Sequence, residues 1–464
     1  MATERYFKLK GALVMPLRSG RRHRGRSIGS LEKRLWSWIE GRHVEVWEAT
    51  LKVERQRTIK VRKSITKKRA TNEGNKPWSE RDMERRYRRA KSFANDGEYS
   101  KAFSAVVNRG KAPLNDRVLE ELRSMNPPRI NQVQWPTREE IKEERERTRN
   151  TLKKFGLPKN SVDVDNCTPD TFEDELQAIE ISADDIVSAA KSARRNTTGG
   201  LQQIIPWFLR IAVLHSPGNR CAKVMATLAN RWARGDFDST FGKLWAMGRL
   251  NPLFKNNHDE RVRPICVGSS LRRLLTKAYN VHLKARLETI TESHQLGTKR
   301  AGYEIGVHAA RAIAKRCLEN GWAILIIDIE NAFNTADRNL ILRLLAAHIP
   351  EAAKLFWWFY HLETTLITSN GDEVLNSAGV QQGCPMATFA FALIIKWMVE
   401  QLNHKGLAHK MFFHDDGCLA GTPKSLGWAA KFIDEMSLVS GLKMKEQNRV
   451  PRSSPGVALA NQCR

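Results

Sequence analysis

The chain has 464 residues, a formal net charge of +27, and 77 Lys and Arg side chains against 50 Asp and Glu. This length predicts roughly two to four domains with substantial cores. The basic excess is concentrated in the first seventy residues. It favours a polyanionic partner, either nucleic acid or an anionic membrane surface.

Three simple patterns argue against other classes of protein. The longest apolar run begins at Phe389 and is stopped by Lys396, far short of the ~20 residues of a membrane span. The opening stretch MATERYFKLK has no apolar signal-peptide core. The seven cysteines are scattered and include no Cys-x-x-Cys pair, so neither disulfides nor a cysteine zinc site is expected. We therefore expect a soluble intracellular protein with reduced thiols.

Residues 1–95 are predicted to form a basic arm that is partly disordered. The basic clusters Arg21–Arg26 and Val61–Arg69 are typical of phosphate-backbone binding or nuclear targeting, although a solvated tail remains an alternative.

Residues 96–205 are predicted to form a helical extension. It begins with a short helix in Gly97–Pro113. A second helix starts at the capping box formed by Thr137 and Glu140, and a third starts at Ser182 with Asp185. The high charge of the second helix predicts that it is mostly exposed to solvent.

A carboxylate follows an apolar run in the second half of the chain. Ala323–Ile327 reads as a buried strand that ends at Asp328, and Asp337–His348 has the apolar spacing of a helix. A carboxylate at the end of a buried strand is a poor core residue and a good cation ligand.

Two adjacent carboxylates lie between two short apolar arms. Met411–Phe413 and Cys418–Ala420 flank His-Asp-Asp-Gly, a composition that favours a hairpin with Asp415 and Asp416 at its tip. A lone Asp-Asp-Gly is more often an ordinary exposed turn. If this hairpin pairs beside the strand ending at Asp328, three carboxylates converge, and divalent cations would relieve their repulsion.

Two further segments suit chemistry on a nucleotide. Lys255 and Arg263 lie on either side of a polar turn, as expected of a two-stranded flap that grips a triphosphate. In Ser377–Leu393, a turn rich in glycine and proline leads into an apolar helix. Such a turn lets the backbone approach a base or a sugar closely.

Five segments of the chain together resemble the reverse transcriptases of LINE-type (non-LTR) retrotransposons. They occur in the family's order and cover about residues 245–445. The segments are RVRPICVGSSLRRLLTKA, QLGTKRAGYEIGVHAAR, ILIIDIENAFNTADR, NSAGVQQGCPMATFAFAL and FFHDDGCLAG.

The resemblance implies an α+β fold, the palm-and-fingers core of a right-hand polymerase. Residues 206–320 correspond to the fingers and residues 321–440 to the palm. The remaining residues, 441–464, correspond to a tail that is truncated before the thumb.

The resemblance also implies roles for individual residues. Asp328, Asp415 and Asp416 correspond to the catalytic aspartates that bind two Mg²⁺ ions, with Mn²⁺ as an alternative. Phe333 corresponds to a bulky residue that excludes a ribose 2′-hydroxyl and so favours deoxynucleotides. The remaining assignments are nucleotide binding for Lys255, Arg263, Gln382 and Gly383, and nucleic-acid binding for Arg272, Arg273 and Lys277.

Two departures from the family's pattern concern the site itself. His414 occupies a slot where alanine or leucine is expected, and we interpret it as a spacer. Asn448 falls at the position of the family's lysine after Gly441, so Lys445 or Arg449 would have to supply a cation near the leaving pyrophosphate.

The sequence therefore predicts an RNA-directed DNA polymerase that acts in the nucleus. Its expected partners are an RNA template, a DNA primer or target, and dNTPs, with no membrane and no small-molecule cofactor. Three alternatives stay open: an RNA-dependent RNA polymerase, a group II intron maturase, and a catalytically impaired remnant that only binds RNA.

Overall fold

The computed structural model describes residues 80–95, 111–129, 131–154, 178–194, 197–201, 204–236, 242, 245–255, 260–291, 295–299, 301–402 and 406–445. Most of the predicted basic arm, nearly all of the expected helix in Gly97–Pro113, and the tail after residue 445 lie outside these ranges.

Within the described ranges, helices and strands alternate from residue 248 onward. The helices are α1 (Glu80–Asn95), α2 (Asp116–Ser124), α3 (Arg138–Lys154), α4 (Ala183–Lys191), α5 (Pro206–Leu214), α6 (Arg220–Arg234), α7 (Ser270–Thr291), α8 (Gly302–Asn320), α9 (Ala332–Thr335), α10 (Arg338–His348), α11 (Pro350–Tyr360), α12 (Pro385–Gln401) and α13 (Pro423–Ser440). The strands are β1 (Gly248–Phe254), β2 (Val262–Gly268), β3 (Ala323–Asp328), β4 (Thr364–Ile367), β5 (Glu373–Asn376), β6 (Leu407–Phe413) and β7 (Asp416–Gly421). The predicted α+β content is confirmed.

Both predicted helix caps in the N-terminal extension are present. Thr137 N–H donates to Glu140 Oε2 at 2.8 Å, and Glu140 N–H donates to Thr137 Oγ1 at 3.2 Å. Ser182 and Asp185 form the same reciprocal pair at the start of α4. Helix α3 is mostly exposed over its described side chains, as expected, but one face is covered, since Ile141 and Glu144 are each only 4% exposed. The helix packs against α10.

The strands form two sheets. The larger has the order β2-β1-β4-β5, so it joins strands of the expected fingers range to strands of the expected palm range. The smaller is fully antiparallel with the order β3-β7-β6. In β3, Leu325 and Ile327 are buried, whereas Ile326 is 40% exposed. This strand therefore buries one face and leaves the other partly open, which corrects the expectation of a fully buried strand.

The main core packs against the face of the smaller sheet that carries Leu325, Ile327 and Leu419. Helix α12 is buried over almost its whole length and packs against α7, α10 and α13. The longest apolar run of the sequence lies in this helix, where it packs against protein. No helix in the described part of the chain is both long enough and apolar enough to cross a membrane.

Candidate active site

The smaller sheet brings two of the three predicted carboxylates side by side. Asp328 ends β3 and is the direct cross-strand partner of Asp416, the first residue of β7. Asp415 precedes it in the turn that joins β6 to β7. The predicted pairing of this hairpin beside the strand ending at Asp328 is thus confirmed, because β7 lies between β3 and β6.

Burial and the two neighbouring carboxylates disfavour the ionised form of Asp416. Burial raises the pKa of Asp416, and the charges of Asp415 and Asp328 raise it further. Lys445 and Arg263 act in the opposite direction. Positive charge placed nearby favours the ionised form of such a carboxylate.

One side chain of the protein supplies part of that positive charge. The Lys445 ammonium donates a hydrogen bond to Asp328 Oδ2. The Lys445 backbone N–H also donates to the Asp328 carbonyl at 3.0 Å. Lys445, one of the two predicted substitutes for the family's lysine, therefore lies at the carboxylates, while Arg449 is outside the described residues.

The donor set suits a hard divalent cation. Carboxylate oxygens are the ligands that Mg²⁺ prefers, and the Asp328 side chain is 39% exposed and contacts a cation already. Within the described ranges, no three His, Cys, Asp or Glu side chains are yet arranged around one point that could hold a metal. Metal binding here would require the three aspartates to turn toward one another and Asp328 to exchange its ammonium partner.

Cations of the β1–β2 flap face the carboxylates. Arg263 lies in β2 opposite Leu253 of β1, and Lys255 follows directly after β1. Burial lowers the pKa of Lys255, and the charges of Lys445 and Arg261 lower it further. Asp328 acts on Lys255 in the opposite direction. The predicted two-stranded flap is present, and the charge of Arg263 acts to lower the pKa of Asp416.

Phe333 is held firmly beside this site. It lies in α9, five residues after Asp328, and its ring stacks on Phe391 of α12 with centroids 4.6 Å apart. The Val380 N–H donates to the Phe333 carbonyl at 2.6 Å. A half-buried ring that stacks on a buried ring of the core can act as a steric barrier.

The turn before α12 is tied to the flap. The Gln382 carbonyl accepts a hydrogen bond from Cys266 N–H of β2 at 2.8 Å. Gly383 has φ +109°, and a Cβ there would lie 2.5 Å from the Cys266 carbonyl oxygen. Only glycine fits this approach. Gln382 is half-buried, whereas its neighbour Gln381 is buried.

The burial of Arg272 contradicts its predicted role in nucleic-acid binding. It is 1% exposed, and its guanidinium donates to the Ala246 carbonyl and to Gln381 Oε1, each at 2.9 Å. It also lies over the Phe359 ring at 4.5 Å. The assignment to nucleic-acid binding is wrong, because this side chain supports the turn from inside the core.

The two other predicted nucleic-acid ligands lie against the N-terminal extension. Arg273 donates to the Thr198 carbonyl at 2.6 Å, and the exposed Lys277 donates to Ser192 Oγ at 3.0 Å. Their role toward nucleic acid stays a prediction.

Two supporting residues were given no role by the sequence analysis, although both lie in segments that carry the family resemblance. Arg338 is buried and donates to the carbonyls of Gly379 at 2.7 Å and Tyr360 at 2.8 Å. Gln295 is buried against the turn that carries Asp415. Their neighbours in the sequence do not reveal this role, because the backbone groups that they bind lie far away in the chain.

Comparison with known proteins agrees with this geometry. Residues 255–447 match the model of the family described as reverse transcriptase (RNA-dependent DNA polymerase). The match covers less than half of the chain, and it includes all three aspartates and both flap cations. No curated protein matches the chain.

Solved structures give weaker likenesses. The apo telomerase of Candida tropicalis truncated from its C-terminal domain aligns at 13% identity and a TM-score of 0.33, covering 44% of this chain and 49% of the other. The apo telomerase of the same organism aligns at 11% identity and a TM-score of 0.33, covering 44% of each chain. The chain thus spans about half the length of these structures or less. The functional assignment rests on the family match, in which residues 255–447 are similar to a reverse transcriptase domain, and this similarity indicates the chemistry of an RNA-directed DNA polymerase.

Proposed function

We propose that this chain is the reverse transcriptase of a LINE-type retrotransposon, which extends a DNA primer along an RNA template with dNTPs. The observation that carries the proposal is the cross-strand pair of Asp328 and Asp416, with the flap cations of Lys255 and Arg263 close by. A negative centre next to a positive flap suits a reaction in which a primer 3′-hydroxyl attacks the α-phosphate of a triphosphate.

Each group has a distinct task in this scheme. Asp328, Asp415 and Asp416 would hold two Mg²⁺ ions, which supply the positive charge that activates the 3′-hydroxyl and neutralises the departing pyrophosphate. Arg263 and Lys255 bind the β- and γ-phosphates and orient the α-phosphate for attack. Lys445 lies next to Asp328, from which it can reach a leaving pyrophosphate once it releases that carboxylate.

Phe333 and the turn at Gln382 and Gly383 complete the nucleotide site. The Phe333 ring, fixed against Phe391, blocks the space that a 2′-hydroxyl needs. The backbone at Gly383 carries no side chain, so a base or a sugar can approach it closely. This selection of deoxynucleotides favours a DNA polymerase over an RNA-dependent RNA polymerase.

The wider assignments form part of the same proposal. Residues 206–320 act as fingers and residues 321–440 as palm, and the basic clusters of the first 95 residues bring the protein to RNA and to chromosomal DNA in the nucleus. The net charge of +27 supports a nucleic-acid partner.

Primer extension tests the function directly. The full chain is incubated with an RNA template, an annealed DNA primer, Mg²⁺ and either dNTPs or rNTPs. We expect extension with dNTPs that is lost in Asp415→Ala and retained in Asp184→Ala, a matched change of an exposed aspartate at the start of α4. Preferential use of rNTPs would overturn the DNA polymerase assignment.

The same assay also tests the alternative that the chain is a catalytically impaired remnant that only binds RNA. No extension by the unmodified chain, together with RNA binding that weakens steeply as salt is raised, would mean that the chain binds RNA without copying it.

A further inference from the structure

The turn that carries Asp415 is held by one side-chain amide from a distant part of the chain. Gln295 Oε1 accepts a hydrogen bond from the His414 N–H at 2.7 Å, and Gln295 Nε2 donates to the His414 carbonyl at 3.2 Å. Gln295 is 0% exposed. Its amide thus satisfies both backbone groups of the residue directly before Asp415.

The residue held by this pair of hydrogen bonds, which we call the clamp, has a strained backbone. His414 has φ +55°, a left-handed conformation that costs a residue with a side chain roughly 1–2 kcal/mol and persists only when its surroundings impose it. The left-handed geometry turns the chain so that Asp416 can start β7 opposite Asp328. The residue before the two catalytic aspartates therefore needs external support to keep its conformation.

The segment around Gln295 is shaped to receive the turn. Gln295 Oε1 also accepts the Gly297 N–H at 2.8 Å, which fixes the orientation of the amide. The Leu296 N–H donates to the Phe412 carbonyl at 2.7 Å, so the segment follows the outer edge of β6. A Cβ at Gly297 would lie 2.6 Å from the His414 imidazole, so the absence of a side chain there makes room for the ring.

We infer that Gln295 is a positioning residue for catalysis, because its amide holds the His414 peptide groups and thereby fixes the geometry of Asp415 and Asp416 for the metal ions. The inference rests on the proposed metal-binding role of these aspartates. It also gives His414 a function as the left-handed residue of the turn, since histidine is among the residues enriched in that conformation.

Packing by an apolar side chain cannot replace the two hydrogen bonds that Gln295 makes to the His414 backbone. Gln295→Leu keeps nearly the same volume but removes both the acceptor and the donor. The His414 N–H and carbonyl then lack their partners, and the turn can relax away from φ +55°. A displacement of reacting groups by about 1 Å can cost on the order of 100-fold in rate.

Hydrogen exchange of the turn tests the clamp without any need for activity. In the full chain, peptides that cover residues 411–417 are followed by mass spectrometry for the unmodified protein and for Gln295→Leu. We expect the His414 amide to exchange about tenfold faster or more in the variant, since one net hydrogen bond is lost. Unchanged exchange at the turn would overturn the clamp itself.

Kinetics test the consequence for catalysis. We expect Gln295→Leu to lower kcat about 100-fold and to raise the Mg²⁺ concentration for half-maximal rate, with little change in KM for dNTP. The double variant Gln295→Leu/His414→Gly should recover at least tenfold of the lost kcat, because glycine adopts φ +55° without support. A purely structural role for Gln295 would not be rescued by this glycine.

A matched control comes from the other end of the same hairpin. Ser425 is buried, and its hydroxyl donates to the Gly406 carbonyl at 2.8 Å, next to the start of β6. Ser425→Ala should destabilise the hairpin there while kcat stays within about threefold. Unchanged kcat in Gln295→Leu, in a protein whose Asp415→Ala variant is inactive, would overturn the positioning role and leave the polymerase assignment standing.

Discussion

Glu144 of α3 lies outside the matched domain, yet it belongs to a buried network of charges that extends into that domain. Its side chain is 4% exposed and pairs with Arg147 of the same helix. Arg147 also reaches Glu400 Oε2 at 3.4 Å, and Lys396 Nζ donates to Glu400 Oε1 at 2.7 Å. His348 Nε2 lies 3.6 Å from Glu144 Oε1. We predict that Glu144→Gln strongly destabilises the protein.

The magnitude follows from the ionisation of Glu144. Burial alone would raise its pKa, but the contacts with His348 and Arg147 overcome this effect and lower it from 4.5 to about 2. A difference of this size corresponds to about 3 kcal/mol of unfolding free energy. Burial and the charge of Lys396 lower the pKa of His348, which therefore stays uncharged at neutral pH. Arg147 is thus the charged partner that stabilises the carboxylate.

The sign of the pH dependence is fixed by the same values. Because the pKa of Glu144 is lower in the folded state, its contribution is fully present above pH 4.5 and is lost as pH falls toward about 2. The difference between the unmodified protein and Glu144→Gln should therefore be about 3 kcal/mol at pH 7 and should shrink progressively below about pH 4.5.

Urea denaturation of the full chain measures this difference. Tryptophan fluorescence is a suitable signal, because Trp135 stacks on Trp357 at 4.9 Å and Arg147 lies 5.8 Å from the Trp397 ring. Glu143→Gln changes an exposed neighbour on the same helix and should have almost no effect. A loss below about 0.5 kcal/mol in Glu144→Gln, or a loss that does not depend on pH, would refute the reasoning.

Two further predictions concern the nucleotide site and its support. Phe333→Ala should raise the kcat/KM for rNTPs relative to dNTPs by about 10- to 100-fold. Phe391→Leu keeps the Phe333 ring but removes the ring on which it stacks, so it should raise this ratio less. An unchanged ratio in Phe333→Ala would contradict the barrier. Arg338→Leu deprives the carbonyls of Gly379 and Tyr360 of their donor, at about 1–3 kcal/mol each. Urea denaturation at pH 7 checks this loss, and an unchanged midpoint would mean that other groups hold the turn.

Local sequence patterns were sufficient for the elements that carry the carboxylates. The apolar run ending at Asp328, the turn residues around Asp415 and the capping boxes at Thr137 and Ser182 each depend on neighbours within a few positions. Such signals are complete in a short window of sequence, because helix and strand periodicity and capping are local properties. The corresponding elements occur where they were expected.

The roles of individual basic side chains were less predictable. Arg272 and Arg273 are adjacent, and the sequence assigns both to nucleic acid, but only Arg272 points into the core. The helix α3 shows the same difficulty, since its charged surface includes a buried carboxylate. Composition reports the number of charges, whereas burial depends on what packs against each face of the helix.

The sequence by itself located the strand that ends at Asp328 and the turn that carries Asp415 and Asp416, because these elements follow from local patterns. The role expected of the three aspartates came from the family resemblance. Only the tertiary structure decided that Asp328 and Asp416 are cross-strand neighbours, that Lys445 pairs with Asp328, and that Gln295 holds His414. These contacts join segments roughly 90 to 120 residues apart in the chain. Their geometry is set by how the sheet and helices pack as a whole, which no short stretch of sequence records.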